Sequence, residues 1–281
     1  MEEIEMIHII TDSTAQLSEQ EVEKYQITVI PLQVSLAGKS GLDGQDISRQ
    51  SFSKALAVSD DVPQTSQPAL GQFLQVYDSL GQQAAPLLSI HLTETLSGTV
   101  KTARIAAAQT KAAVTVLDSN FTDRALGLIV IKAAELGRKT TDVNLLVKEI
   151  HQYAKKIRLD CFINNLDYLV KNGRASRATG FIASAIKLKL LVTLEEGKFK
   201  VIGKSHGQKR FNLKINEIVK QIIADRSISQ VGLSYVDEET TVLDIKRQLE
   251  QARPELKIFC ALTSPVIMAH VGHAGFAIIT V

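Results

Sequence analysis

Apolar residues recur along this chain with two different periods, and the periods alternate. The short runs MIHII, ITVIPL, PLLSIHL and AVTVL, rich in β-branched residues, have the length and texture of buried strands. Segments of helical period separate them and predict helices from Ser18 to Tyr25, Ser48 to Val58, Ala69 to Leu80, Gly98 to Gln109, Arg124 to Leu136 and Val143 to Lys156. Strands alternating with helices in this way define an α/β fold, with a mostly parallel sheet in the first half.

Past Lys156 the texture changes. DCFINNL is followed by a short helix and then by LKLLVTLEEGKFKVIGKS, whose central EEGK between alternating flanks predicts an antiparallel hairpin. A helix from Leu213 to Ala224, a strand at ISQVGLSYV, a helix from Thr241 to Gln251 and strands at KIFCAL and FAIITV complete the pattern. The expected organisation is an amino-terminal α/β domain over 1–158 and a carboxyl-terminal α/β domain with a mixed sheet over 159–281. No repeat or low-complexity linker separates them.

Composition narrows the class. The 281 residues are 45% hydrophobic and 22% charged, which is ordinary globular usage and argues against disorder or a membrane-embedded chain. Even the most apolar stretch near ASAIKLKLLV is interrupted by Lys187 and Lys189, so no membrane span is expected. The acidic start MEEIEMIHII lacks the features of a secretory signal, and a cytoplasmic protein is the expectation. Cys161 and Cys260 sit in apolar runs without C-x-x-C spacing, which reads as two reduced, buried thiols.

A net charge of +2 hides an uneven distribution. From Lys171 to Lys214 there are eleven basic residues against Glu195 and Glu196 only, a local surplus of nine. Such a stretch is either a solvated basic face or a docking surface for an acidic partner. The global balance gives no reason to expect nucleic acid.

Several short motifs suggest enzymes and fail on context. Gly38-Lys39-Ser40 and Gly203-Lys204-Ser205 resemble the end of a phosphate-binding loop, but Gln33 and Lys198 occupy the places of its leading glycine. The string Gly203-Lys204-Ser205-His206-Gly207 matches G-x-S-x-G, with Asp237 and His270 following in the order of an α/β-hydrolase triad. That elbow needs a buried parallel strand before its serine, whereas EEGKFKVIG alternates like a hairpin arm. A hydrolase or phosphotransfer enzyme built on this segment is therefore the alternative reading. His270 and His273 could share a face, yet no neighbouring Cys, Asp or Glu completes a metal's ligand set. The segment SPVIMAHVGHAG suits a turn beside a pocket, with a purely structural histidine as the other reading.

Three polar clusters are more informative. Thr11-Asp12-Ser13-Thr14 follows the first strand and TETLSGT follows SIHL, both at strand carboxyl ends, where open α/β sheets bind ligands. Ser97-Gly98-Thr99 would open the next helix and offer hydroxyls and free N–H groups to an anion. Thr65-Ser66-Gln67-Pro68 precedes another helix, with Pro68 at its opening. Plain helix capping accounts for the same residues.

Together, TDST, Pro31-Leu32, TSQP, LSGT, Asp118-Ser119 and LDYLVKNGRAS resemble the DegV family of bacterial fatty-acid-binding proteins, across nearly the whole chain. The resemblance implies two α/β domains with a long-chain fatty acid in a buried tunnel between them. It implies a carboxylate held by Thr65 and Ser97 with Gly98, and His270 nearby. Asp12, Ser13, Ser66 and Thr99 are secondary candidates. It implies a monomeric lipid carrier without catalytic residues, metal or cofactor, which presents its ligand to a fatty acid kinase. Burying each methylene is worth about 0.8 kcal/mol, so a long acyl chain can be held without covalent attachment.

The sequence departs from the family pattern in places. Thr93-Glu94 stand where two serines are usual, Leu190 replaces a proline, and Gly272-His273-Ala274 replaces a glycine-proline-glycine turn. The local basic surplus places docking of an acidic kinase face on Arg174, Lys204, Lys209 and Arg210, and by the resemblance His206 stands where members that serve the kinase carry arginine.

Overall fold

The structure, a computed structural model, describes residues 6–82, 85–175 and 188–281. The chain divides into two compact units, one of residues 1–33 and 66–156 and the other of residues 34–65 and 157–281. The later division falls where the sequence texture changes. Residues 34–65 differ from the contiguous expectation, because they form a small sheet and a helix that group with the second unit.

In the first unit, β1 (His8–Asp12), β2 (Thr28–Ile30), β6 (Leu87–His91) and β7 (Val114–Asp118) form a parallel sheet in the order β2-β1-β6-β7. The connections carry α1 (Glu19–Tyr25), α3 (Leu70–Gly81), α4 (Thr99–Gln109), α5 (Asp123–Gly137) and α6 (Val143–Ala154). Every residue of β6 is buried, as expected of a strand covered on both faces. Ile10, Ile30 and Leu87 pack with Phe73 and Tyr77 of α3 and Ala103 and Ala106 of α4. Ser18 caps α1 and exchanges reciprocal bonds with Glu21, so the helix begins one residue later than the apolar period suggests.

In the second unit, β3 (Gln33–Leu36), β4 (Lys39–Leu42) and β5 (Gln64–Ser66) make a three-stranded sheet beside α2 (Arg49–Val58). The larger sheet runs β10-β9-β8-β13-β11-β12, from β8 (Arg158–Ile163), β9 (Lys189–Glu195), β10 (Lys198–Ser205), β11 (Gln230–Tyr235), β12 (Lys257–Leu262) and β13 (Phe276–Thr280). Only β11 and β12 pair in parallel, so the sheet is mixed. The core sets Phe162 and Phe276, stacked at 4.5 Å, against Phe211, Ile215 and Val219 of α8 (Gln208–Ala224) and Val242 and Ile245 of α9 (Thr240–Ala252).

Two expectations are corrected here. α8 starts at Gln208, five residues before Leu213, because Phe211 is buried and anchors a first turn whose other residues are polar and charged. Most of SPVIMAHVGHAG is not a turn: Pro265–Val271 is a helix, α10, capped by Ser264 with proline in its first turn, and the turn is confined to residues 272–275. α7 (Asp167–Lys171) packs against it.

Candidate functional site

The first group of candidate residues lies at the carboxyl edge of the parallel sheet. Asp12 ends β1 and is fully buried. Its Oδ1 accepts from the Thr14 N–H at 3.0 Å and the Thr14 hydroxyl at 2.5 Å, and its Oδ2 accepts from the Leu92 N–H at 2.9 Å. Oδ2 also lies 3.0 Å from His91 Nδ1. On the other side of the ring, His91 Nε2 is 2.7 Å from Ser89 Oγ, which accepts from the Tyr77 hydroxyl at 2.8 Å. One set of protons satisfies this chain: Tyr77 donates to Ser89, Ser89 to Nε2, and Nδ1–H to Asp12. Burial pushes the Tyr77 hydroxyl up to about 12, so it remains a donor. All four side chains are fully buried, so the group ties β1 to β6 rather than offering Asp12 to a ligand. Ser13 is likewise engaged, its Oγ accepting from the Leu32 N–H at 3.1 Å.

The loop that leaves β6 is held at successive amides. Thr93 N–H donates to Phe121 O at 2.9 Å and Glu94 N–H to Asp118 Oδ2 at 3.1 Å. Burial raises the Asp118 carboxyl above its ordinary range, opposed by the Asn120 and Glu94 amides. The loop delivers Ser97 and Gly98, both half-buried, to the start of α4, where Gly98 occupies the N-cap with no side-chain cap. Ser97 Oγ lies 2.9 Å from Thr99 Oγ1, and Thr99 itself is fully buried. Ser97 Oγ also accepts from the Thr99 N–H at 3.4 Å, and a helix start with hydroxyls beside it is suited to an anion.

Gly98 also has a packing reason to be glycine. A Cβ there would lie 1.9 Å from Gln67 Oε1, and Gln67 Nε2 donates to Thr102 Oγ1 at 2.5 Å. TSQP and LSGT are thus joined directly through Gln67. Ser66 is exposed, its Oγ 3.3 Å from Gln33 Oε1.

The second group belongs to the other unit. Thr65 on β5 and His270 on α10 are both half-buried, with Thr65 Oγ1 3.0 Å from His270 Nε2. With a proton on Nε2, the imidazole donates to Oγ1 and leaves the threonine O–H free for an incoming acceptor; without it, the O–H is spent on the ring. In the first arrangement the pair can offer a hydroxyl proton to an acceptor oxygen.

The hydrolase-like string does not assemble. Ser205 ends β10, antiparallel to β9, and its hydroxyl donates to Gly207 O at 3.2 Å. Asp237 faces His273 Nδ1 at 2.7 Å and His270 faces Thr65, so the three residues read in triad order have other partners. Among the described residues no cluster of His, Cys, Asp and Glu could hold a metal ion, and no helix is long and apolar enough to cross a membrane. Lys204, His206, Lys209 and Arg210 are exposed at the β10–α8 junction. Arg174 is half-buried and donates to Asn172 O at 2.7 Å. Arg177 and Lys187 of the same basic stretch lie outside the described residues.

The chain is thus a two-unit α/β protein with a parallel first sheet, a mixed second sheet and hydroxyl-bearing loops at strand carboxyl ends, the edge at which open α/β sheets bind ligands. Residues 6–281 match a family described as uncharacterised proteins of the DegV family, and the chain belongs to that family. A DegV domain-containing protein of Streptococcus pneumoniae serotype 4 is 30% identical over 273 residues, covering 97% of each chain. One from Staphylococcus aureus strain MRSA252 is 32% identical over 271 residues, covering 96% of this chain and 97% of the relative. Among solved structures, DegV from Bacillus subtilis, a fatty acid binding protein, aligns over 99% of both chains at 26% identity with a TM-score of 0.90. A DegV lipid binding protein from Thermotoga maritima aligns over 98% of this chain and 99% of its own, at 26% identity and a TM-score of 0.81.

Proposed function

We propose that this protein binds a long-chain fatty acid, its carboxylate taken up by Thr65 with His270 and by Ser97 with Gly98 at the start of α4. The observation that carries this reading is the Thr65–His270 pair at 3.0 Å, which can turn a hydroxyl proton outward for an anion. The fatty acid bound by the Bacillus subtilis relative supports the ligand class. Burial removes the carboxylate from water, and charge-assisted bonds from hydroxyl and N–H donors replace the lost hydration. The reading is of a carrier, not an enzyme.

The test is titration of delipidated protein with oleate and, separately, with methyl oleate. The two share an acyl chain and differ in the anionic head group. Saturable oleate binding with much weaker methyl oleate binding supports a carboxylate site. Equal affinity for both, or binding of neither, contradicts it.

The finer part of the proposal is delivery to a fatty acid kinase, docked through Arg174, Lys204, His206, Lys209 and Arg210. The local surplus of basic residues supports an acidic partner face. At position 206 an imidazole lacks the guanidinium's permanent charge and planar fork of donors. Acyl phosphate formation with the cognate kinase should therefore rise in His206→Arg. Full wild-type activity unchanged in that variant would remove position 206 from the docking surface.

A further inference from the structure

The turn that follows α10 is held more firmly than a loop end requires. Gly272 has φ of 74° and Ala274 φ of 52°, the latter a left-handed conformation that an alanine adopts only at a cost. Both backbone groups of Ala274 are engaged: its N–H donates to Asp237 Oδ1 at 2.7 Å and its carbonyl accepts from Asn164 Nδ2. Asn164 Oδ1 accepts in turn from Lys189 Nζ. The second oxygen of Asp237 faces His273 Nδ1 at 2.7 Å, and the His273 ring meets Tyr168 edge-on. A Cβ on Gly272 would lie 2.4 Å from Tyr168, so the turn is pressed against α7 with no room to shift. The one carboxylate of Asp237 thus grips two consecutive residues of the turn.

Its neighbour Val236 grips the opposite side. Val236 N–H donates to Gly275 O at 3.1 Å, and Val236 O accepts from Ser53 Oγ of α2 at 2.9 Å. α2 also packs on α10 and leads, through residues 59–63, to β5 and Thr65. Residues 236 and 237, at the carboxyl end of β11, therefore tie together the arm that carries Thr65 and the arm that carries His270. The side of α10 nearer α7 is fixed by Asn172 Nδ2, which donates to Ala269 O at 3.0 Å.

The geometry points to Asp237 as a positioning residue for His270: its bidentate hold on His273 and Ala274 sets the end of α10, and so the 3.0 Å approach of the imidazole to Thr65 Oγ1. This rests on the carboxylate-site reading given above for Thr65 and His270. An acceptor at Oδ1 is the essential part, since it satisfies the N–H of a left-handed alanine. The charge at Oδ2 adds the pairing with His273. Asparagine keeps the first and loses the second; alanine loses both.

The test uses the full chain with Asp237→Ala, Asp237→Asn and His273→Ala, read by the ¹⁵N signals of the His270 imidazole and by oleate titration. Asp237→Ala should displace the His270 signals and weaken oleate binding by about tenfold, the equivalent of one net charge-assisted hydrogen bond. Asp237→Asn should retain most of both, and His273→Ala should fall between. A merely structural aspartate would lower the melting temperature and leave the His270 signals of the folded protein unmoved, and that result overturns the proposal. Should Asp237→Ala not fold, His273→Ala decides: unchanged His270 signals and affinity count against the assignment. If wild type binds no oleate, the fatty-acid reading fails by itself, while the imidazole signals still report whether Asp237 sets His270.

Discussion

Thr65 Oγ1 and His270 Nε2 lie 3.0 Å apart although 205 positions separate them in sequence. The pair has one useful arrangement for an anion, with the imidazole donating to the hydroxyl and the hydroxyl donating outward. Thr65→Val keeps the β-branched shape on β5 and removes that proton. Oleate affinity should fall by about tenfold to a hundredfold, the range for a hydrogen bond to a charged group, with little change in unliganded stability. His270→Gln retains an amide N–H close to the Nε2 position and should lose less than His270→Ala. Equal losses would mean that imidazole donation is not what orients Thr65.

The contact between Gln67 and Gly98 predicts non-additivity. Gly98→Ala must push aside the end of Gln67 and break its bond to Thr102, at about 0.5–1.5 kcal/mol. Gln67→Ala removes the same bond and makes room for the new methyl group. The double variant should therefore cost less than the two single changes added together, by denaturant unfolding. Simple additivity would show that the two side chains do not meet in solution.

Much of this arrangement was legible in sequence, for identifiable reasons. β1, β6 and β7 are apolar runs covered by helices, and helices α2 to α6 follow the apolar period to within a few residues. The sheet of β3, β4 and β5 escaped notice because its strands are three or four residues long and bury few positions, none of them in β5. α10 was hidden because the turn residues at its end dominate so short a segment. Thr65, Ser97 and His270 were singled out by resemblance, and no local pattern pairs Thr65 with His270. His91 was missed, Asp237 was read only as the acid of a triad that does not assemble and Gln67 only as one member of a helix-opening cluster, because their partners lie far along the chain.

The Arg124–Glu21 pair sets a pH dependence. Arg124 donates to both Glu21 oxygens, at 2.8 and 2.7 Å, and to Gln16 O. Burial alone would raise the Glu21 carboxyl, but the Arg124 bonds and the Ser18 amide overcome it and hold the group below its ordinary value. A depressed folded value means the stabilisation is full above the unfolded value, about 4.3, and is lost as pH falls through the folded one. Glu21→Gln should cost about 1.5–3 kcal/mol at pH 7, and the gap to wild type should close in acid. A constant gap from pH 7 to pH 2 would contradict the assignment.

Asp160 has the opposite sign. It is buried in β8, and burial raises its carboxyl despite the bond from Arg158 Nε at 2.7 Å. The folded protein therefore holds this proton more tightly than the unfolded chain, and stability falls as pH rises through that window. Arg158 is half-exposed and its pairing is screened, so its loss offsets little. Asp160→Asn should raise the unfolding midpoint at pH 7 and gain progressively less toward pH 3. A loss at pH 7 would show that the Arg158 pairing outweighs the burial cost.

Carriage of a fatty acid is tested by mass spectrometry of an organic extract of the protein purified from a bacterial host without added lipid. The extract should hold one long-chain fatty acid per protein molecule, sharply reduced in a variant carrying both Thr65→Val and Ser97→Ala. Recovery of no stoichiometric acyl chain, together with failure of the purified protein to take up added palmitate or oleate, would contradict it.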